Sequence, residues 1–142
     1  GSMMKPGMAI GRTATITATV TPDMFARFEG QLVHPALSTV SMVYHMEWAA
    51  RQIILPYLET HEEGIGAAVS VKHLAPTPEG EAITVTATLT EIKGRAVVAR
   101  VVVRNRRGIA GEGEVTQFIL PKDEIRRKLG ACEARPGPGE RA

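Results

Sequence analysis

Ser38 to Leu58 reads STVSMVYHMEWAARQIILPYL and is the one segment long and apolar enough to form a central helix. Val40, Val43, Ile54 and Leu58 fall close together at 100° per residue, and Met42, Met46, Ala49 and Ile53 cover the flank beside them. Apolar residues over so much of the circumference predict a helix enclosed on all sides. Ser38 or Thr39 supplies a hydroxyl for the N-cap, and Pro56 sets the far limit near Leu55. Glu47 projects between the directions of Val43 and Ile54. A carboxylate in such surroundings needs a partner, water or a task. Arg51, one turn later, is the partner that the helix itself offers.

On the N-terminal side, RTATITATVT (12–21) alternates Ala14, Ile16, Ala18 and Val20 with threonines, the pattern of a half-buried strand that Pro22 ends. DMFARFEGQLVHPAL (23–37) keeps no sustained period and predicts a short helical turn before a loop around Gly30 to Pro35. His34 in that loop becomes a site residue only if the loop covers a pocket. Beyond the helix a period of two resumes, with Ile65, Ala67, Val69, Val71 and His73 on one inward face. AITVTATLTEI, AVVARVVVRN and IAGEGEVTQFIL follow, joined by KGR and RRG as an antiparallel meander. Gly111 and Gly113 in the last strand signal a bulge or a close approach.

Strand, helix and four strands make an α+β fold in which one curved antiparallel sheet wraps a long central helix. It occupies residues 4–121, and residues 122–142 form a short charged helix and a disordered end. An aliphatic sheet edge in so small a domain calls for pairing with a second copy, as a homodimer or an oligomer of dimers.

Composition narrows the function. One Trp, two Tyr and three Phe are too few for a single-strand stacking platform, and a net charge of +2 is too small for a nucleic-acid track. The single Cys132 excludes an internal disulfide or a cysteine zinc site and fits a reducing, cytoplasmic setting. No apolar run reaches membrane-spanning length. Two basic clusters, Arg104, Arg106 and Arg107, and Lys122, Arg126, Arg127 and Lys128, are either a solvated surface or a seat for the phosphates of a small molecule. Phosphate-loop, dinucleotide and GxSxG motifs are absent, as is any His pair at metal-binding helical spacing, so neither a metal nor a cofactor is expected.

What remains is Thr39, eight residues and about two turns before Glu47, together with His73 and backbone N–H groups near Gly66. A carboxylate can activate water or attack a carbonyl, a histidine can move a proton, and a hydroxyl can orient either. The set suits acyl transfer or hydrolysis. At STVSMVYHMEWA, YLETHEEGIGAAVSVKHLAPTPEG and AITVTATLTEIKGR the chain resembles the hotdog-fold acyl-CoA thioesterases, particularly the fluoroacetyl-CoA thioesterase-like group. The resemblance implies hydrolysis of an acyl-CoA thioester, with Thr39, Glu47 and His73 as the catalytic set and Gly66 near the acyl group. It also implies a dimer that binds acyl-CoA near its interface. Val33 and Gln117 stand where the fluoroacetyl enzyme has a gating phenylalanine and an arginine, so the resemblance implies that both are substrate-contact positions and that fluoroacetyl-CoA is not uniquely preferred. The competing readings are a non-catalytic acyl-CoA-binding domain and a hydratase or dehydratase. The latter would need an acid-base pair on the helix, but His45 and Glu47 point about 200° apart.

Overall fold

The computed structural model describes residues 4–134. Strand β1 (Thr13–Thr19) leads through a 3-10 turn at Pro22–Met24 into β2 (Phe25–Phe28) and β3 (Gln31–Leu37). Helix α1 (Thr39–Ile54) and a second 3-10 turn, Leu55–Tyr57, precede β4 (Glu62–His73), β5 (Ala82–Lys93), β6 (Ala96–Asn105) and β7 (Gly108–Pro121). Helix α2 (Lys122–Ala134) follows, and the disordered end expected for the last residues lies outside the described residues from 135 onward. The sheet runs β1-β5-β6-β7-β4, antiparallel throughout, with α1 packed against all five strands.

Alternation along the meander decides where the core sits. Val85, Ala87, Leu89, Val97, Ala99, Val101 and Val115 line the inner face and bury Met42, Met46, Ala49, Ala50 and Ile53 of α1. The enclosure expected for this helix is incomplete. Val40, Tyr44 and Trp48, spaced four residues apart, are 74%, 62% and 41% exposed, and Glu47 beside them is exposed rather than inward. The methionine and alanine flank takes the sheet, because its small and flexible side chains allow close approach, and among the described residues the opposite stripe has no layer above it.

Two further departures have local causes, and the bulge expected near Gly111 is present. Residues 25–37 form a hairpin rather than a loop, turned by Glu29 and Gly30, both with positive φ. Its strands form a separate two-stranded sheet whose β-bridge to the rest joins Ala36 to Pro78, so no shared core imposes a period. In β4, Gly66 pairs with Gln117 but Ala68 pairs with Thr116, so Ala67 is a bulge. The alternation flips there, which puts Ile65 on the outer face and Gly66, Val69, Val71 and His73 on the helix side. In β7 a second bulge at Ala110 lets its carbonyl accept from the N–H groups of Leu74 at 2.8 Å and Ala75 at 3.1 Å, fixing the chain just beyond His73.

The close approach read from Gly111 and Gly113 is present. A Cβ on Gly111 would overlap the Met42 sulfur, and one on Gly113 would overlap the Ser70 carbonyl oxygen.

Arg51 does not pair with Glu47. Its Nη1 meets Glu63 at 2.8 Å, bracing the end of α1 against the start of β4. The Arg51 hydrogen bond holds the Glu63 carboxyl below its ordinary range against the opposing effect of partial burial, with help from the Gly64 N–H. Nearby, Arg12 Nε donates to the Ile53 carbonyl at 3.1 Å, and buried Glu62 accepts from the backbone of Met4 and Glu59.

Gly113→Ala forces β4 and β7 apart and should cost about 1–3 kcal/mol in urea unfolding. The Arg51–Glu63 contribution is present above the unfolded carboxylate pKa and is lost as pH falls through the lower folded one. Arg51→Met should therefore lose stability at neutral pH and show a shallower decline across that acidic window, read from urea midpoints at each pH.

Candidate active site

Ser38 takes the N-cap, its Oγ accepting from the Ser41 N–H at 3.0 Å. That leaves the Thr39 hydroxyl free. It lies 2.8 Å from Nδ1 of His73, brought there by the helix-facing side of β4. The pair opens into a hollow of about 550 Å³ bordered by His34, Ala36, Leu74 and Pro76. His34 reaches it from β3, so the hairpin does cover a pocket. Val33, the next residue along, is exposed and borders neither this hollow nor the one around Glu47.

Glu47 lies in a different hollow. This one measures about 280 Å³ and is lined by Tyr44, Trp48, Arg51, Gly66 and Gln117. Glu47 Oε1 sits 2.9 Å from where a Gly66 Cβ would be, so any side chain at 66 would push the carboxylate away. Gln117 is buried, its amide nitrogen donating to the Ala50 carbonyl at 3.0 Å. Eight residues of helix separate Thr39 from Glu47, a rise of about 12 Å. A single chain thus joins Thr39 to His73 and Glu47 to Gly66 but does not bring the two pairs together.

The basic residues divide similarly. Arg107 is committed to Glu81 at 2.9 Å and to the Pro76 carbonyl at 3.2 Å, and Arg126 pairs with Asp123. Arg104 and Arg106 border a third hollow and make no ion pair among the described residues. Lys122 begins α2 beside His61, close enough to Glu63 for its charge to act on that carboxyl. No cluster of three metal-ligating side chains occurs among the described residues, and no helix there is long and apolar enough to cross a membrane.

Sequence reasoning missed Tyr44, Trp48 and Arg51 as lining residues. The available signal was the aromatic pair four residues apart on the helix. His45 is buried, with Nδ1 donating to the Ser41 carbonyl at 2.7 Å, and so stands apart from exposed Glu47. The helix therefore lacks the acid-base pair that a hydratase reading requires.

Comparison with known proteins agrees with this architecture. The family model described as fluoroacetyl-CoA-specific thioesterase matches residues 20–123. The fluoroacetyl-CoA thioesterase of Streptantibioticus cattleyicolor is 32% identical over 132 residues, spanning 89% of this chain and 95% of that protein. A Thermus thermophilus member of the thioesterase superfamily is 41% identical with a TM-score of 0.84, covering 92% of this chain and 100% of its own. A solved fluoroacetyl-CoA thioesterase structure is 30% identical with a TM-score of 0.83, covering 92% and 99%. By sequence, topology and extent of match, the chain belongs to the fluoroacetyl-CoA-specific thioesterase family and is a hotdog-fold acyl-CoA thioesterase.

Proposed function

We propose that two copies of the chain complete each active site, Thr39 and His73 of one meeting Glu47 and Gly66 of the other, and that fluoroacetyl-CoA is not its uniquely preferred acyl-CoA. The observation that carries this reading is the separation of the two pairs along an uncovered surface. β4 is a sheet edge, exposed from Ile65 to Ser70, and the Val40, Tyr44 and Trp48 stripe adjoins it. An edge with unpaired N–H and C=O groups pairs readily with its own copy, and a two-fold axis makes the contact reciprocal. An axis through Ser70, with the Ala67 bulge taking up the extra residue, sets Gly66 opposite the partner's His73. Along the helices an axis beside Val43 sets Thr39 opposite the partner's Glu47. Both juxtapositions follow from one symmetry.

In the joined site the thioester carbonyl lies between the two pairs. Glu47 draws a proton from water as the water attacks the carbonyl carbon, or attacks that carbon itself to give an anhydride that water then opens. In either route the C–S bond breaks and CoA leaves as its thiol, and both need the carboxylate beside the same atom. With Nδ1 of His73 as acceptor, the Thr39 hydroxyl donates to it and is fixed in direction. Backbone N–H groups near Gly66 face the developing oxyanion. The two-fold also brings Lys122 and Arg126 at the start of β4 towards the end of the partner's β4, where Arg104, Arg106 and Arg107 lie. Of these, Arg104 and Arg106, which make no ion pair among the described residues, serve the phosphates of CoA, not a nucleic acid. Exposed Val33 and amide-bearing Gln117 do not supply the phenylalanine and arginine of the fluoroacetyl enzyme. The lone Cys132 supports a reducing, cytoplasmic location.

Sedimentation equilibrium should give twice the chain mass at micromolar concentration. Glu47→Gln and His73→Ala should each lose at least about 100-fold in thiol release. Mixed and allowed to exchange subunits, the two variants should recover about a quarter of normal activity, because half the dimers are hybrids with one intact site. No recovery despite demonstrated exchange would show that the residues act within one chain. CoA binding by calorimetry should weaken with salt and with Arg104→Ala plus Arg106→Ala; salt-independent binding would remove the phosphate assignment. Preference for fluoroacetyl-CoA over acetyl-CoA by orders of magnitude would overturn the reading of Val33 and Gln117.

A further inference from the structure

The Glu47 hollow has a second polar feature that the hydrolytic step does not use. Gln117 is only 6% exposed, and its amide nitrogen donates to the Ala50 carbonyl at 3.0 Å. A carbonyl can only accept, so the NH2 end of the amide must face Ala50 and the oxygen must face away from it. That oxygen lies 3.6 Å from where a Gly64 Cβ would be, on the wall of the hollow. It accepts no hydrogen bond among the described residues, and it is not a sealed atom: the one buried side-chain oxygen there without a partner is Oε1 of Glu81. An almost fully buried amide thus presents one open acceptor to the cavity.

Gly64 and Gly66 lie on the same side of β4, both before the bulge. At Gly66 the missing side chain leaves room for Glu47 Oε1; at Gly64 it leaves room for the Ile54 Cδ1 methyl, with Gln117 Oε1 at 3.6 Å. Two residues of strand separate them, about 6.7 Å. Glu47, Gly66, Gly64 and Gln117 line one hollow, so a thioester carbon held at Glu47 has the Gln117 oxygen within reach of its acyl chain. The remaining wall is Tyr44, Trp48, Val115 and Arg51, whose guanidinium is paired with Glu63, and it suits a short, mainly apolar chain.

Resting on the proposal that Glu47 works at the thioester, we infer that Gln117 is a specificity residue selecting acyl-CoAs with a hydrogen-bond donor, foremost a hydroxyl, a few bonds beyond the carbonyl. A hydroxyl can donate to the fixed oxygen. A plain alkyl chain displaces water from it and supplies nothing in return. A terminal carboxylate would set one acceptor against another. The amide cannot turn over to accommodate it without placing its oxygen against the Ala50 carbonyl.

The test measures thiol release from butyryl-CoA, 3-hydroxybutyryl-CoA, 4-hydroxybutyryl-CoA and succinyl-CoA by the intact protein. The better hydroxyacyl thioester should exceed butyryl-CoA by at least about tenfold in kcat/KM, with succinyl-CoA the poorest. Gln117→Met and Gln117→Leu, both checked for folding by circular dichroism, should bring the hydroxyacyl to butyryl ratio within about twofold. The unmodified protein decides the matter even if both variants fail to fold. Equal use of butyryl-CoA and both hydroxyacyl thioesters would overturn the inference while leaving hydrolysis intact. So would a ratio that survives in a folded variant. Absence of turnover on every thioester, acetyl-CoA included, would instead overturn the hydrolytic reading and this one with it.

Discussion

A single sheet can cover only one side of a helix, and most of this molecule follows from that limit. Met42, Met46, Ala49, Ala50 and Ile53 take the covered side. Val40, Tyr44 and Trp48 are left facing outward, although fully burying a side chain of this kind stabilises by about 1.5–3 kcal/mol. The same limit leaves Glu47 outside the core, where the carboxylate keeps its water. Closeness on the covered side is itself demanding. It requires glycine at 111 against the Met42 sulfur and at 113 against the Ser70 carbonyl. The chain thus packs one face to the limit and leaves the other unfinished, and the residues with chemistry lie along that boundary.

The bulge at Ala67 has a consequence out of proportion to its size. Gly66 and His73 are an odd number of residues apart, so in a regular strand they would project to opposite faces. One extra residue between them puts both on the helix side, Gly66 against Glu47 and His73 against Thr39. The bulge at Ala110 gives the Leu74 and Ala75 N–H groups their acceptor and so holds the end of β4 where His73 meets the helix. Two small backbone irregularities, neither carrying a reactive side chain, do the positioning that regular strands could not.

These features explain what the sequence could and could not reveal. The limits of α1 were legible because Ser38 and Pro56 act locally, and the meander because KGR and RRG turns separate clear alternations. Glu47 was given the wrong surroundings: periodicity fixes the angles among side chains on a helix, not which angle a sheet will cover. The hairpin at 25–37 was missed because its strands bury little against the core, and alternation is a record of burial. The bulge was hidden for a related reason. Ile65 and Val69 are both apolar, so the flip between them leaves the pattern of residue types unchanged.

In the two-copy reading, covering the exposed stripe does more than hide apolar surface. Charges in open water act weakly on one another, and the same charges in a site closed by protein act several times more strongly. Glu47, solvated in one chain, would meet Thr39 and His73 only as the second copy removes its water. Assembly would then join the groups and strengthen their interaction in one step. A lone chain would keep both halves of the chemistry too far apart for either to cleave a thioester. That arrangement gives the unfinished face of α1 a reason to stay apolar: the surface that drives association is the surface beside which the substrate must be held.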